Sequence, residues 1–215
     1  MPVVAPITRS RRWNTDGAAG ARERILDAAS RLFYEEGIQA VGIQRIIEEA
    51  NTVKASLYAH FKSKDELVAA YLQREYDRAR VEVEALLQGL TGRRKLLRLF
   101  DALAEAMAQP GFFGCAYCNA SVEILARDHP ATPIARAYRA WWSQFMISLV
   151  REAGAASPEK VGAAALLLFE AAQAAGRLGQ GTQAGRDARW AVERLLDQGA
   201  RRKKGIRRKS STPQK

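Results

Sequence analysis

The chain has 215 residues, of which 47% are hydrophobic and 27% are charged, a composition typical of a folded globular protein rather than of a disordered or fibrous one. Its formal net charge is +11, but ten of these charges lie in the first 20 and the last 17 residues. The excess of basic residues therefore indicates charged ends, and it excludes a uniformly basic fold. Two cysteines are too few for a secreted disulfide scaffold.

The longest uncharged stretch, residues 106–122, contains Pro110, Gly111 and several polar residues. A membrane-spanning helix needs about 20 mostly apolar residues, so this stretch does not qualify. The first 13 residues lack the apolar segment of a secretion signal. We therefore expect a soluble, cytoplasmic protein that makes no membrane contact.

The sequence is rich in Ala and Leu and lacks the β-branched clusters that mark strands, which predicts an all-α protein of about nine helices. Residues 1–18 show no apolar period and are expected to form a disordered N-terminal arm. An amphipathic stripe predicts the first helix over residues 22–36, ended by Gly37. A second helix of about two turns begins at Ile43.

A third helix is predicted over residues 53–61, with Asn51 or Thr52 as its cap. Ser63 and Glu66 form a capping box that predicts the start of a long fourth helix, ending near Leu87. The later helices are predicted over residues 96–107, 119–127, 131–153, 158–177 and 182–198. The basic residues 199–215 are expected to form a disordered tail, comparable to a phosphate-binding arm without sequence specificity.

Residues 43–61 have the pattern of two short helices joined by a tight turn, which is typical of a helix-turn-helix whose second helix enters the DNA major groove. Two packed core helices of any all-α protein would show the same periodicity. The periodicity alone therefore leaves both interpretations open.

The residues around this pattern resemble the N-terminal domain of the tetracycline-repressor (TetR) family of transcriptional regulators. They are the segment Arg24-Ile25-Leu26-Asp27-Ala28-Ala29, then Leu32, Phe33, Gly37, Ile46 and Ala50, and the segment from Ser56 to Leu67. The sequence departs from the family pattern at the turn, where Gly42 replaces a usual Thr or Ser and Asn51 replaces a usual Gly.

The resemblance implies a homodimeric repressor that releases DNA when a small molecule binds. It also implies a helix-turn-helix DNA-binding domain over residues 19–79 and a helical ligand-binding and dimerisation domain over residues 80–198. A two-fold symmetric dimer requires a palindromic operator in double-stranded DNA. No enzymatic activity is expected.

We expect Gln44 to pair with an adenine edge, and Lys54 and Lys64 to contact phosphates. For His60, a solvent-facing position without DNA contact is the alternative. The candidate DNA-binding residues are Gln44, Arg45, Lys54, Ala55, Ser56, Tyr58, His60 and Lys64.

Aromatic residues after the Pro110-Gly111 break could line an apolar pocket for a small apolar or aromatic effector, although each could equally belong to the core. The candidate ligand-binding residues are Phe112, Phe113, Tyr117, Trp141, Trp142 and Phe145.

Cys115 and Cys118 form a CxxC pair at a predicted helix start, where a thiolate is favoured. The simplest interpretation is two half-buried thiols near the pocket. Two alternatives are a regulator switched by thiol oxidation and a dithiol oxidoreductase, although the latter lacks the usual βαβ context. With only two histidines in the chain, a structural zinc site is not expected, and no cofactor is predicted. A third alternative is a protein that coats DNA through its basic tails.

The last two predicted helices carry broad Ala and Leu faces suited to a four-helix dimer interface. The predicted interface residues are Leu166, Leu167, Leu168, Ala171, Ala172, Ala175, Ala188, Ala191, Val192, Leu195 and Leu196.

Overall fold

The structure is a computed structural model that describes residues 20–124 and 128–209, with the side chains of the last helix described as far as Asp197. Every regular element in these ranges is helical, which confirms the predicted all-α class. The helices are α1 (Ala21–Glu35), α2 (Ile43–Glu49), α3 (Lys54–His60), α4 (Lys64–Leu87), α5 (Arg93–Met107), α6 (Ala116–Glu123), α7 (Thr132–Glu152), α8 (Pro158–Ala175) and α9 (Gly181–Lys209). The predicted N-terminal arm, residues 1–18, lies outside the described residues.

The first three helices pack around one apolar core, as the spacing of their apolar residues predicts. Leu57 and Phe61 of the third helical segment are buried against Leu32, Phe33 and Ile46. Because α2 and α3 are each only seven residues long, they depend on this burial for their stability rather than on helix propensity. The packing holds α3 with its opposite side towards solvent.

The turn between α2 and α3 differs from the expectation in its cap. Asn51 adopts a left-handed conformation with φ of 45°, a conformation that Asn tolerates better than most residues. The Thr52 amide donates to the Ile47 carbonyl at 3.1 Å, which closes the turn. The prediction of a cap by Asn51 or Thr52 is wrong, because Val53 is the N-cap residue of α3 and no side chain caps the helix.

The fourth helix begins with the predicted capping box. The Ser63 hydroxyl accepts from the Glu66 amide at 3.1 Å, and the Glu66 carboxylate accepts from the Lys62 amide at 2.8 Å. Both bonds satisfy amides that would otherwise be unpaired at a helix start. The box also determines where the chain turns after α3, because only three residues separate the two helices.

The C-terminal helices form a second core, in which α9 packs on α5 and α8, and α7 packs on α8. Glycines allow two of these close approaches. A Cβ atom on Gly185 would lie 2.8 Å from the Cα of Ala104, and one on Gly162 would lie 2.8 Å from the Cα of Ile147. A side chain at either position would therefore push the helices apart.

Helix α6 lies earlier in the sequence than expected, since it spans Ala116–Glu123 instead of residues 119–127. The Asn119 side chain donates to the Phe113 carbonyl at 2.8 Å, and its backbone amide donates to the Cys115 carbonyl at 2.9 Å. These bonds start the helix one turn sooner. Ile124, with ψ of 85°, is no longer helical.

The last helix is longer than expected and reaches Lys209 instead of ending at Gln198, so the predicted disordered tail is helical over residues 199–209. Ala, Arg and Lys are good helix formers, and no proline interrupts the helix in this stretch. Residues 210–215 lie outside the described residues.

One helical stretch, Pro158–Asp197, is long and apolar enough by length and composition to cross a membrane, with a mean hydropathy of 1.2 in its most apolar window. This is weak support for insertion, because Gly179, with φ of 88°, interrupts the helix and reverses the chain between α8 and α9. Each of these helices also buries one face against the C-terminal core.

We expect Ser63→Ala to lower the free energy of unfolding by about 1 kcal/mol, since the Glu66 amide loses its acceptor. For a protein of this size the melting temperature should fall by about 2 to 4 °C. Thermal unfolding followed by circular dichroism measures the change. The control is Ser148→Ala, which removes an exposed hydroxyl inside α7 that bonds only to the Phe145 carbonyl and caps no helix. Equal melting temperatures for Ser63→Ala and the unmodified protein would contradict the role of the cap.

Candidate functional site

The exposed side of α3 carries most of the residues that the sequence analysis assigned to DNA. Lys54, Ala55, Tyr58 and His60 are exposed, and Ser56 is half-buried. The buried residue of this helix is Leu57, which faces the core. The helix therefore presents one continuous side that is free to enter a groove.

Lys54 and Tyr58 are one turn apart on this side, and the Lys54 ammonium lies 6.0 Å from the centre of the Tyr58 ring. Lys64 lies in the first turn of α4 and is half-buried. Its pKa is lowered, because the effect of burial exceeds the opposing effect of the nearby Asp65 and Glu123 carboxylates. Lys54 is thus the more accessible of the two candidate phosphate contacts.

Gln44 and Arg45, the two candidate residues of α2, are exposed, but each contacts an acidic side chain. The Gln44 side-chain amide donates to Glu48 at 3.1 Å. The Arg45 guanidinium contacts Glu49 at 3.2 Å and lies 3.9 Å from Glu36. Since exposed pairs of this kind contribute little energy, both side chains can exchange these partners for DNA.

Sequence reasoning overlooked Val53, whose side chain is 66% exposed at the start of α3. A large apolar side chain at this place is unusual for a surface, and apolar groups recognise the methyl group of thymine in the major groove. The sequence places Val53 directly after the turn, but the sequence analysis used this residue only as the start of the third helix.

One cavity, of about 430 Å³, lies between α4, α6, α7 and α8. Its wall is mostly apolar and aromatic, with polar groups on α6, α7 and α8. The lining residues include Leu72, Cys115, Tyr117, Cys118, Ala120, Ile124, Ala135, Arg136, Tyr138, Arg139, Trp142, Leu166, Phe169, Glu170 and Gln173. A cavity of this size fits the range of small-molecule sites.

The structure brings only two of the six predicted ligand-binding residues to this cavity, Tyr117 and Trp142. The Tyr117 ring stacks on the Tyr138 ring, with centroids 3.6 Å apart, and the Trp142 ring lies 5.2 Å from that of Phe169. Tyr138 was therefore missed, because nothing in its local sequence separates it from other aromatic core residues.

The other four aromatic residues lie elsewhere. Phe113 packs edge-on against Tyr34 of α1, with ring centroids 5.6 Å apart, and Phe112 lies in the C-terminal core beside Gly176. Trp141 and Phe145 stack on each other and line a separate groove along α4. The helix α7 thus directs Trp141 and Trp142, although adjacent in sequence, to different sides.

The two cysteines are free thiols and both line the cavity, with Cys115 buried and Cys118 exposed. Hydrogen bonding from the Cys118 thiol and from the first amides of α6 holds the pKa of Cys115 to about 7, although burial opposes this shift. The same contact raises the pKa of Cys118. Within residues 20–124 and 128–209, His, Cys, Asp and Glu side chains form no group of three that could hold a metal ion.

Helix α6 connects the cavity to the DNA-binding helices. The Tyr34 hydroxyl of α1 donates to the Gly114 carbonyl at 2.9 Å and accepts from the Phe113 amide at 3.1 Å. At the other end of α6, the Glu123 carboxylate accepts from the Gln39 amide at 2.7 Å. The α1–α2 region is therefore bound to both ends of α6.

The wall of the cavity is also bonded to α4. The Tyr117 hydroxyl, which belongs to a cavity-lining side chain, donates to the Leu72 carbonyl of α4. Farther along, the His129 ring lies 3.5 Å from the Asp65 carboxylate in the first turn of α4. A shift of α6 or of the Tyr117 ring would therefore act directly on α4, the helix that follows α3. We call α3, whose exposed side carries the candidate DNA contacts, the recognition helix.

Comparison with known proteins agrees with this arrangement. The sequence profile described as "Bacterial regulatory proteins, tetR family" matches residues 25–71. A solved TetR-family transcriptional regulator from Streptomyces coelicolor is 32% identical, with a TM-score of 0.78, and the match covers 83% of this chain and 95% of that one. A putative TetR transcriptional regulator from Streptomyces avermitilis is 30% identical, with a TM-score of 0.75, over 85% and 99% of the two chains.

Among curated proteins, the transcriptional activator FasR of Mycolicibacterium smegmatis is 38% identical over 93 residues, or 43% of this chain and 42% of FasR. The transcriptional repressor KstR2 of Rhodococcus jostii is 34% identical over 98 residues, or 44% of this chain and 47% of KstR2. The matches thus span less than half the length of these two relatives, one of which is named an activator and the other a repressor.

The helix-turn-helix, the helical domain packed on it and the likeness to solved regulators over nearly their whole length lead to one conclusion. The chain belongs to the TetR family of bacterial transcriptional regulators, which bind DNA and are not enzymes.

Proposed function

We propose that the protein is a homodimeric, cytoplasmic repressor that leaves a palindromic operator when a small apolar or aromatic effector enters the cavity. The observation that carries this proposal is the double role of α6. One side of the helix lines the cavity, and its two ends are bonded to the DNA-binding helices.

The coupling follows from the contacts of Tyr117. Its ring lines the cavity and its hydroxyl is bonded to the Leu72 carbonyl of α4, so a ligand that displaces the ring also displaces α4. The recognition helices of a dimer must lie about 34 to 36 Å apart to enter successive major grooves. A small tilt of α4 changes this separation and lowers the affinity for the operator.

Release requires that the ligand bind the state that cannot bind DNA more tightly than the state that can. A tenfold loss of operator affinity corresponds to about 1.4 kcal/mol of such preference. A free-energy difference of this size is within the range that a few hydrogen bonds contribute, such as those of Tyr34, Tyr117 and Glu123 at α6.

The dimer interface is proposed on the outer faces of α8 and α9. Leu166, Ala172, Ala188, Val192 and Leu196 were predicted for this interface, but they are buried within the protomer because each helix already packs one face on the C-terminal core. Large apolar side chains remain exposed on the other side. They are Leu167 of α8, Trp190 of α9 and Leu178 of the turn between these helices, with exposed fractions of 60%, 60% and 83%.

We expect Gln44→Ala to relax the base preference at one position of each operator half-site, because the amide is the group that can pair with adenine. The loss of discrimination should be about 1 to 3 kcal/mol. Competition binding measures it, with an operator selected from random sequences and its single-base variants.

Lys54→Ala and Lys64→Ala should instead weaken binding to operator and random DNA alike, since they contact phosphates. Each should flatten the dependence of log affinity on log salt concentration by about one unit. If the Gln44 and lysine variants have the same effect on both kinds of DNA, the assignment of base and phosphate contacts is wrong.

Leu167→Glu should dissociate the dimer, because a charge would be buried in an apolar interface. Light scattering at micromolar concentration should then give the mass of a monomer, and operator affinity should fall. The matched control is Val81→Glu on α4, where the side chain is similarly exposed but belongs to neither α8 nor α9. A monomeric unmodified protein that also fails to dimerise on DNA would overturn the proposal.

The cavity is tested by filling it. N-phenyl-1-naphthylamine, an uncharged dye that fluoresces in apolar sites, should bind to the protein and lose its binding in Ala135→Trp, whose new ring would occupy the cavity. Ala137→Trp is the control, because Ala137 lies on the same helix but is exposed outside the cavity. Ala137→Trp should still bind operator. Equal dye binding by the two variants would place the dye, and the proposed effector site, outside the cavity.

A further inference from the structure

The cavity has an unequal distribution of polar groups, from which the chemical class of the effector can be derived. We infer that the effector carries a negatively charged group, such as a carboxylate, in addition to its apolar body, and that Arg136 is the residue that binds this group. The inference rests on the proposed function, since it specifies the ligand of the same cavity.

The positive charge comes from α7. Arg136 and Arg139 are three residues apart, so they project from neighbouring positions on one side of the helix, and both line the cavity while remaining exposed to solvent. They therefore lie at its opening rather than in its depth. Guanidinium groups bind carboxylates in a planar, two-pronged geometry, which suits them to select an anionic ligand.

Only one of these two arginines is neutralised by the protein. Arg139 contacts the Glu170 carboxylate of α8 at 3.2 Å. Among the described lining residues Glu170 is the single carboxylate, and Arg136 forms no ion pair with any residue that the structure describes. Arg139 and Glu170 thus compensate each other, whereas Arg136 has no acidic partner among the described residues, and an anionic group on the ligand would supply one.

The inner part of the cavity is suited to the apolar body. Tyr138, Trp142 and Phe169 supply aromatic surface there, and Leu72 and Leu166 supply aliphatic surface. Gln173 is the most deeply buried polar side chain of the lining, with an exposed fraction of 5%.

The side-chain amide of Gln173 donates to the Phe169 carbonyl at 3.4 Å, a long bond within α8. The Gln173 side-chain oxygen accepts no hydrogen bond from a described residue, and Gln173 lines the cavity. A hydroxyl or amine on the ligand would satisfy this oxygen. The effector would then be a flat apolar molecule with a donor along its body and an anionic group at the end that faces the opening.

Two dyes with the same aromatic body test the inference. 8-Anilinonaphthalene-1-sulfonate has a sulfonate group, whereas N-phenyl-1-naphthylamine has none, and both carry one amine donor. We expect the sulfonate to bind about tenfold more tightly, which corresponds to about 1.4 kcal/mol. Fluorescence titration of the full chain gives both dissociation constants, and Ala135→Trp should abolish the binding of both dyes.

Three variants separate a charge effect from a change in structure. Arg136→Gln should weaken the binding of the sulfonate dye by about three- to tenfold, as expected for an exposed charged contact. The affinity for the uncharged dye should not change. Glu170→Gln should strengthen the binding of the sulfonate dye, because it removes the carboxylate that pairs with Arg139. Arg94→Gln, which removes an exposed arginine of α5 outside the cavity, is the control and should alter neither dye.

The possible results are distinct. If both dyes bind in the cavity with equal affinity, or if Arg136→Gln weakens both to the same extent, the effector site does not select a negative charge and this inference is wrong, while the proposed function stands. If Ala135→Trp leaves the binding of both dyes intact, neither dye occupies the cavity, and the cavity assignment in the proposed function fails as well.

Discussion

The attachment of α6 to the DNA-binding helices is the interaction on which the rest of the structure depends. The core of the first four helices does not end at the domain boundary that the sequence suggested near residue 79, because it continues into Cys115, Ala116, Tyr117 and Ala120. Close packing leaves little room for independent movement, since interiors respond to strain as a unit. The recognition helix and the cavity wall therefore belong to one packed body.

In the proposed function, this construction transmits a small displacement in the cavity to the DNA-binding helices. The bonds of Tyr34 and Glu123 hold both ends of α6 to the α1–α2 region, while Tyr117, in the first turn of α6, bonds to α4. A ligand has to alter only a few such bonds, each contributing about 1 kcal/mol, to change operator affinity tenfold. Coupling of this kind needs no unfolding of either domain.

Several side chains that are proposed to bind DNA or the ligand contact acidic neighbours in the unbound protein. Gln44 bonds to Glu48, Arg45 pairs with Glu49, and Arg139 at the cavity opening pairs with Glu170. Exposed pairs contribute about 0 to 1 kcal/mol, so DNA or an anionic ligand can replace them at small cost. Arg136, which pairs with no residue that the structure describes, differs in this respect, and this difference defines the proposed anion site.

Local signals in the sequence were sufficient for most helices and for the capping box at Ser63, because apolar spacing and helix caps act within a few residues, whereas the bounds of α6 and α9 were wrong. The helix-turn-helix was identified by the family resemblance, since periodicity alone left it open. The cavity could not be obtained in this way. Its lining depends on which side of each helix faces its neighbours, so Trp142 enters the cavity while Trp141 and Phe145 face a separate groove along α4. Residues that lie far apart in the sequence, such as Leu72 and Gln173, meet only because α6, α7 and α8 pack against α4.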